Sequence, residues 1–477
     1  MFYDVVVAGG GVIGGMVARE LTKYQLSVCI LEKENDVACG ASKANSGIVH
    51  GGYDPEPDTL KAKLNTLGVE KLFTTAGMLH VPIIRNGSMV CAFSPEEDET
   101  VKKLYQRGLV NQIPNMQILS GDEARKQEPN LSEKITSVLW VRNAGIVCPY
   151  DLTIAAVGNA MDNGAALMLN FEIVKIEKEN GLFQITSAAG ETVKAKYLIN
   201  CAGCYSDKIA KLCGDDSFTI IPRGGEYLLL DKTEGQRVSH TIFQCPSVEG
   251  KGILVSPTVD GNLLTGPTAG VVENAESKQI TQAGIDTVTR LASKSVPSVQ
   301  FRNVITSFTG VRSSEKNGDF IIGFSKKAEN LLNVAAIDSP GLTCCVAIAE
   351  YVVELMEKAG VELTGNTAFN GTRENPHAFR QMSDEEKNAY IQAHPEYGKI
   401  VCRCETVSEG EIRYALRVNP PAQDMDGVKR RTRSGMGRCQ GGFCGPYVMK
   451  LIAEERGIAK EQVTKNGAGS EMVTGKL

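Results

Sequence analysis

The sequence predicts an α/β protein in three parts. These are a Rossmann-like nucleotide-binding domain, an α+β domain inserted into it, and a small helical domain with four cysteines at the C-terminus. Three observations predict this. The chain opens on a strand–turn–helix–strand unit whose turn reads G-x-G-x-x-G. Two separated stretches, 80–145 and 215–305, alternate short β runs with turns such as "RNGS" and "TVDGN". Two close cysteine pairs, "CRC" and "CQGGFC", stand near the end. A chain of 477 residues is too long for one ordinary core, so several domains are expected.

The front end reads "YDVVVAGGGVIGGMVARELTKYQLSVCILEKE". Val5 to Ala8 form an apolar strand, a helix runs from about Ile13 to Tyr24, and "SVCILE" is the second strand. Gly9 permits the tight turn, Gly11 lets backbone approach a pyrophosphate, and Gly14 lets helix and strand pack closely. The helix N-terminus offers free N–H groups and the positive end of its dipole to phosphate. Glu32 ends the second strand, where a carboxylate accepts bonds from ribose hydroxyls. This fingerprint alone does not separate FAD from NAD.

Later elements favour FAD. "KYLINCAGCYSD" is an apolar strand running into Ala202 and Gly203, a close approach to a cofactor. "NLLNVAAIDSPGLTCCVAIAEYVVELM" is a strand, a loop and a long helix, with Gly341 at the helix start. That N-terminus suits the negative charge of a reduced flavin. The competing reading is one more α/β crossover with Gly341 as a turn.

Composition narrows the function classes. A net charge of −5 argues against a nucleic-acid binder. The chain begins directly in a strand, so no export signal is expected. The most apolar stretch, "GLTCCVAIAEYVVELM", is short and broken by Glu350, so no integral membrane segment is expected. Fourteen cysteines without an export signal fit buried thiols and ligands in a reducing cytosol, giving a cytoplasmic expectation.

The segments "GGGVIGG", "LEK", "KANSGIVHGGYD", "INCAGCYSD", "PRGGEY", "TGVRSS" and "DSPGLT" together resemble the flavoprotein dehydrogenases of the D-amino-acid-oxidase and glycerol-3-phosphate-dehydrogenase superfamily. "SGIVHGG" with "LKAKL" is also similar to L-2-hydroxyglutarate dehydrogenases. The resemblance implies an FAD-binding domain from 1–79, 146–214 and 306–365, with a substrate domain from 80–145 and 215–305. It implies FAD contacts at Gly9, Gly11, Gly14, Glu32, Lys33, Ser42, Asn45, Ser46, Gly47, Val174, Ala202, Gly203, Gly341, Leu342 and Thr343. It implies a small anionic substrate oxidised at a secondary alcohol, with sn-glycerol 3-phosphate first, L-2-hydroxyglutarate next and an amino acid or amine after them. A non-catalytic electron-transfer subunit is the reading from a different class.

His50, between an apolar strand and a glycine pair, suits removal of the hydroxyl proton; the alternative is a histidine that only packs under the flavin. The matching family position gives Arg312 the anionic end of the substrate, as a guanidinium fork would grip it; the alternative pairs Arg312 with Glu315. Arg223 and Tyr227 in "PRGGEYLLL" are weaker catalytic candidates. Lys61 and Lys63 in "LKAKL" read as a solvated helix face, the alternative being that one of them adds positive potential to the site.

Residues 366–397 are polar and read as a linker with one short helix. Then come Cys402-x-Cys404, 34 residues, and Cys439-x4-Cys444. Ser408 to Glu411 form a capping box ahead of "IRYALRV". Structural zinc sites use Cys-x2–4-Cys pairs, so the short first pair and wide second pair favour a [2Fe–2S] cluster, with zinc as rival. The module at 398–460 resembles BFD-like [2Fe–2S] domains of multi-subunit dehydrogenases, with 461–477 as a tail. That resemblance implies a second redox protein subunit, a flavoprotein or iron–sulfur protein. "VKRRTRSGMGR" before the third cysteine reads as a solvated run, as partial compensation of the cluster's charge, or as a docking face for an acidic redox partner.

Overall fold

The computed structural model describes residues 1–246, 252–473 and 475. The opening apolar run forms the strand Phe2–Ala8, fully buried over Val5 to Val7. It lies parallel between Val28–Leu31 and Thr192–Asn200, and Ala166–Met168 extends the sheet beyond Val28–Leu31. Leu331–Ala335 adds in parallel to the end of Thr192–Asn200. An antiparallel wing, Ile173–Glu179 with Leu182–Ser187, and the strand Ile321–Phe324 complete eight strands. Helices Val12–Leu21, Pro149–Asp162 and Gly341–Lys358 cover one face and share one core with Val5, Val7, Ile30 and Leu332.

The second sheet has nine strands and its own core around Met89, Leu228, Val255 and Val288. Its long hairpin-like pair is Ile221–Leu230 against Val304–Ser314, antiparallel with Arg223 opposite Arg312. This corrects the boundary expected at 306. The strand to 314 belongs to the second sheet along its whole length, because its hydrogen-bond partner is Ile221–Leu230.

Residues 366–397 are not a free linker. They carry two helices, Ala378–Gln381 and Asp384–Ala393, the latter with a Ser383/Glu386 capping box. Asn366 N–H donates to Lys23 O, Arg19 Nη2 to Gly371 O, and Asn159 Nδ2 to Asn370 O. Arg373 donates to Asp162 and to Asn419 O in the tail module. The segment is a strap laid across the first domain and into the module. His377, largely buried, faces Asp151 at 3.3 Å. Burial pulls its pKa down, but the Asp151 carboxylate wins and raises it above the ordinary value. A raised histidine stabilises fully below about pH 6.5 and loses that contribution as pH rises through its higher folded pKa. Protection of the strap amides, after correction for the intrinsic rise of exchange with pH, is therefore expected to fall as pH rises above about 6.5, and His377→Gln should flatten that dependence.

The tail module packs helices Glu409–Arg417, Met425–Thr432 and Gly445–Arg456 around Ile412, Val428 and Leu451. The capping box at Ser408 and Glu411 is formed in both directions. No helix among the described residues is long and apolar enough to cross a membrane.

Candidate active site and cluster site

A cavity of about 1350 Å³ runs between the two sheets. Its floor is built by the βαβ unit. Gly9 takes φ +111, and a Cβ at Gly14 would lie 2.0 Å from Gly9 O, so helix and turn touch only because both are glycine. The helix Val12–Leu21 has no cap from its own N-cap residue Gly11; Ser42 Oγ accepts the Val12 N–H instead, at 2.9 Å. Glu32 is buried and accepts N–H bonds from Gly10 (2.7 Å) and Glu34 (2.9 Å). Burial pushes its carboxyl up in spite of those bonds.

Of the residues expected to touch the cofactor, Gly9, Gly11, Glu32, Lys33, Ser42, Asn45, Ser46, Ala202, Gly203, Gly341 and Leu342 line this cavity. Several are already occupied with shaping it. Asn45 Oδ1 accepts Gly47 N–H and its Nδ2 donates to Ala41 O, which closes the turn. Lys33 is paired with Glu34 and with Glu276 of the second domain, and sits 4.1 Å over the Tyr205 ring. Gly14, Gly47 and Thr343 lie behind the lining: Gly47 O accepts Val147 N–H, and Thr343 Oγ1 accepts His50 N–H at 2.8 Å. Val174 does not reach the cavity. Its side chain is 48% exposed, because a register shift between Ile173 and Lys175 turns Ile173 inward instead.

The candidate catalytic residues, His50, Arg223, Tyr227 and Arg312, all line the cavity. His50 is buried and stacks on Tyr53 at 4.9 Å. Its backbone is pinned by Thr343 and by Asn65 Nδ2, which donates to His50 O. Gly52 N–H points to Nδ1 at 3.3 Å, a long bond that favours the tautomer protonated at Nε2 without locking it. Tyr227 is buried, stacks on Phe308 and shares a hydrogen bond with Ser46 Oγ. Arg312 donates to Thr268 O at 3.3 Å rather than to Glu315. Arg223 Nε is buried with no hydrogen-bond partner among the described residues. Lys61 is not on a solvated face: it lines the cavity and pairs with Asp338 at 2.5 Å, beside the start of helix Gly341–Lys358.

The four tail cysteines stand as two pairs. Cys404 S–H donates to Cys439 at 3.6 Å, and Cys444 bonds Cys402. The Cys444 bond draws the Cys402 thiol down to about 5 against its burial, helped by the N–H groups of Gly435, Glu405 and Cys404. The Phe443 N–H, then the Cys404 thiol and the Gly441 N–H, likewise lower Cys439 against its burial. A Cβ at Gly437 would lie 2.4 Å from the Cys404 Cβ. Two thiolate-favouring sulfurs, each paired with a second thiol inside a backbone N–H cradle, fit an anionic two-iron cluster held by two cysteines per iron. The other ten cysteines are free thiols, and Cys344 and Cys345 are fully buried in helix packing.

In the basic run before Cys439, Arg430, Arg431 and Arg433 are turned inward, neither solvated nor open to a partner, whereas Arg438 stays largely exposed. Asp36, in the loop after Val28–Leu31, is fully buried and receives Arg430 Nη2 (2.6 Å), Arg431 Nη1 (2.7 Å) and Arg431 Nη2 (2.8 Å). Arg433 bonds Asp260 (2.6 Å), Asn262 and Tyr150, and Arg438 bonds Asp231. The run therefore bolts the module to both other domains. Asp36, Tyr150 and Asp260 escaped the sequence reading, and no local signal marks them. Their partners lie far along the chain.

Comparison with known proteins agrees with both sites. The family model for FAD dependent oxidoreductases matches residues 4–355, and that for the BFD-like [2Fe–2S] binding domain matches 400–454. The chain is 42% identical to glycerol 3-phosphate dehydrogenase of Caloramator mitchellensis, over 99% of this chain and 98% of that protein. It is 35% identical to glycerol 3-phosphate oxidase of Mycoplasma genitalium, over 77% of this chain and 98% of that one. The crystal structure of dithionite-reduced L-alpha-glycerophosphate oxidase from Mycoplasma pneumoniae, with FAD bound, superposes with a TM-score of 0.75 at 33% identity, covering 78% of this chain and 98% of that one. The open helix N-terminus, the buried Glu32 and the paired thiols fit the two groups these families bind, FAD and a [2Fe–2S] cluster. The chain belongs to the FAD dependent oxidoreductase family and carries a BFD-like [2Fe–2S] binding domain behind its flavin-binding part.

Proposed function

We propose that this protein oxidises the secondary hydroxyl of sn-glycerol 3-phosphate to the ketone of dihydroxyacetone phosphate, and that the electrons leave through the tail module to a second redox protein. The observation that carries the substrate is the arginine pair. Arg223 and Arg312 are opposed across two antiparallel strands and both line the cavity. Like charges so opposed destabilise a sheet unless an anion lies between them. Arg223 Nε also lacks a bond inside the protein. A phosphate dianion answers both, since guanidinium forks match its oxygens. The names of the two curated relatives and of the solved structure support the same substrate.

FAD supplies the two-electron acceptor for the carbinol hydride. The chain's own residues hold the substrate and move its other proton. Arg223 and Arg312 orient the phosphate. His50 takes the hydroxyl proton at Nε2 from the tautomer that carries its ring proton on Nδ1, a form that the long Gly52 contact disfavours without excluding. Tyr227, held in place by its stack on Phe308, presents its ring to the cavity and limits water there.

The tail supports the exit route. The full-length relative is named a dehydrogenase, whereas the relative named an oxidase leaves unmatched a share of this chain the size of the strap and module together. The free thiols support a reducing, cytosolic setting.

Anaerobic titration of the purified protein tests the substrate. sn-Glycerol 3-phosphate is expected to bleach the flavin band and L-2-hydroxyglutarate to leave it. The reverse result overturns the reading. His50→Asn should keep its FAD and lose about 10²–10⁴-fold in the rate of bleaching. Unchanged bleaching in both His50→Asn and Arg312→Ala would take the catalytic roles away from these two residues, and a flavin that neither substrate bleaches would favour a non-catalytic subunit.

A further inference from the structure

The outward rim of the cluster loop is unlike the rest of the module. Cys402 and Cys444 are buried, whereas Cys404 is exposed and Cys439 half-buried, so the sulfurs reach the surface on one side. Phe443, between the last two ligands, is 88% exposed, the most exposed large hydrophobic side chain among the described residues. Burying such a side chain is worth about 1.5–3 kcal/mol, so leaving it in water is costly without a use. Arg403, between the first two ligands, is exposed and in no ion pair among the described residues. Arg438 is 69% exposed beyond its pair with Asp231. The remaining arginines of the basic run face inward to Asp36, Asp260 and Glu405.

We propose that Cys404, Phe443, Arg403 and Arg438 form the docking surface for a separate, acidic, one-electron carrier protein. Such a partner would present carboxylates around its redox centre and an apolar spot for the Phe443 ring. Charge complementarity selects the acidic partner, and one aromatic anchor beside arginines has the make-up of a protein contact rather than of a small-molecule pocket. The small patch suits a brief, electrostatically steered encounter. Oxidation of one secondary alcohol to a ketone releases two electrons and two protons. Two carriers are then each reduced by one electron per turnover, and the protons go to solvent. This deepens the reading given under Proposed function and rests on its exit route.

The test uses the full-length protein with both cofactors and two probes, cytochrome b5 for its acidic face and cytochrome c for its basic one. Binding of the ferric probes to the oxidised protein, without substrate, is followed by NMR line broadening. Cytochrome b5 is expected to bind, and to weaken about tenfold or more between low and physiological salt. Arg403→Glu and Phe443→Ser should each weaken it about tenfold with flavin and cluster absorbance intact, and Arg403→Glu should gain affinity for cytochrome c. Equal binding by both variants, or a wild-type preference for cytochrome c, overturns the proposal. Rim-dependent binding in a protein whose flavin glycerol 3-phosphate fails to bleach would leave the surface standing and remove only the substrate.

Discussion

Replacing Asp36 by alanine is expected to loosen the cluster module from the flavin domain and to weaken FAD retention in the same variant. The carboxylate is fully buried and accepts three N–H bonds from Arg430 and Arg431, themselves nearly buried. Removing it leaves two guanidinium groups without their anion, a defect of about 3–5 kcal/mol. The loss reaches the cofactor because the loop that follows lines the cavity. Ala38 N–H donates to Gly10 O, and Cys39, Ser42 and Asn45 face the cavity. Hydrogen exchange should rise together at 36–47 and 398–460, and native mass spectrometry should find less bound FAD. Acid should imitate the substitution. Burial raises the Asp36 carboxyl, but Arg431 and then Arg430 override it and hold it below the usual range. Its contribution is therefore full above about pH 3.9 and lost as pH falls through the lower folded value. Asp36→Asn should lose that acid step. Unchanged exchange in Asp36→Ala would mean that Arg433 and the strap suffice to hold the module.

Arg223→Met is expected to raise KM for glycerol 3-phosphate about 100-fold, a loss of roughly 3 kcal/mol, while stabilising the substrate-free protein. The two signs come from one geometry. Arg223 stands opposite Arg312 and leaves Nε unsatisfied, so the pair is unfavourable until an anion arrives. Removing one member relieves about 0.5–1 kcal/mol of that cost and forfeits the anion. Steady-state kinetics against thermal unfolding separates the effects. A variant less stable than wild type and normal in KM would make Arg223 a structural residue.

The parts of the fold legible in the sequence are those whose partners are near in the chain. The βαβ unit announced itself because its glycines meet within six residues, Gly14 against Gly9. The capping box at Ser408 was equally local, and the cysteines showed through the short spacing within each sequence pair, although Cys404 meets Cys439 across 35 residues. What failed was long-range pairing. "VITSFTGVRSS" looks like a strand, but only its ladder with Ile221–Leu230 assigns it to the second sheet. Val174 stands outside the cavity lining and Ile173 within it, since a register shift reverses which side chain faces in. Arg430 and Arg431 looked like surface charge because their carboxylate lies almost 400 residues earlier. Lys61 misled for the same reason, its partner Asp338 being on a distant turn.

The bolt between Asp36 and the two arginines also governs how this architecture can change. A stop codon before residue 398 would take the arginines from Asp36, Asp260 and Asp231 at one stroke. It would also uncover the faces of both other domains on which the module is bolted. Loss of the tail is therefore a change to the surface of all three parts rather than a simple trim.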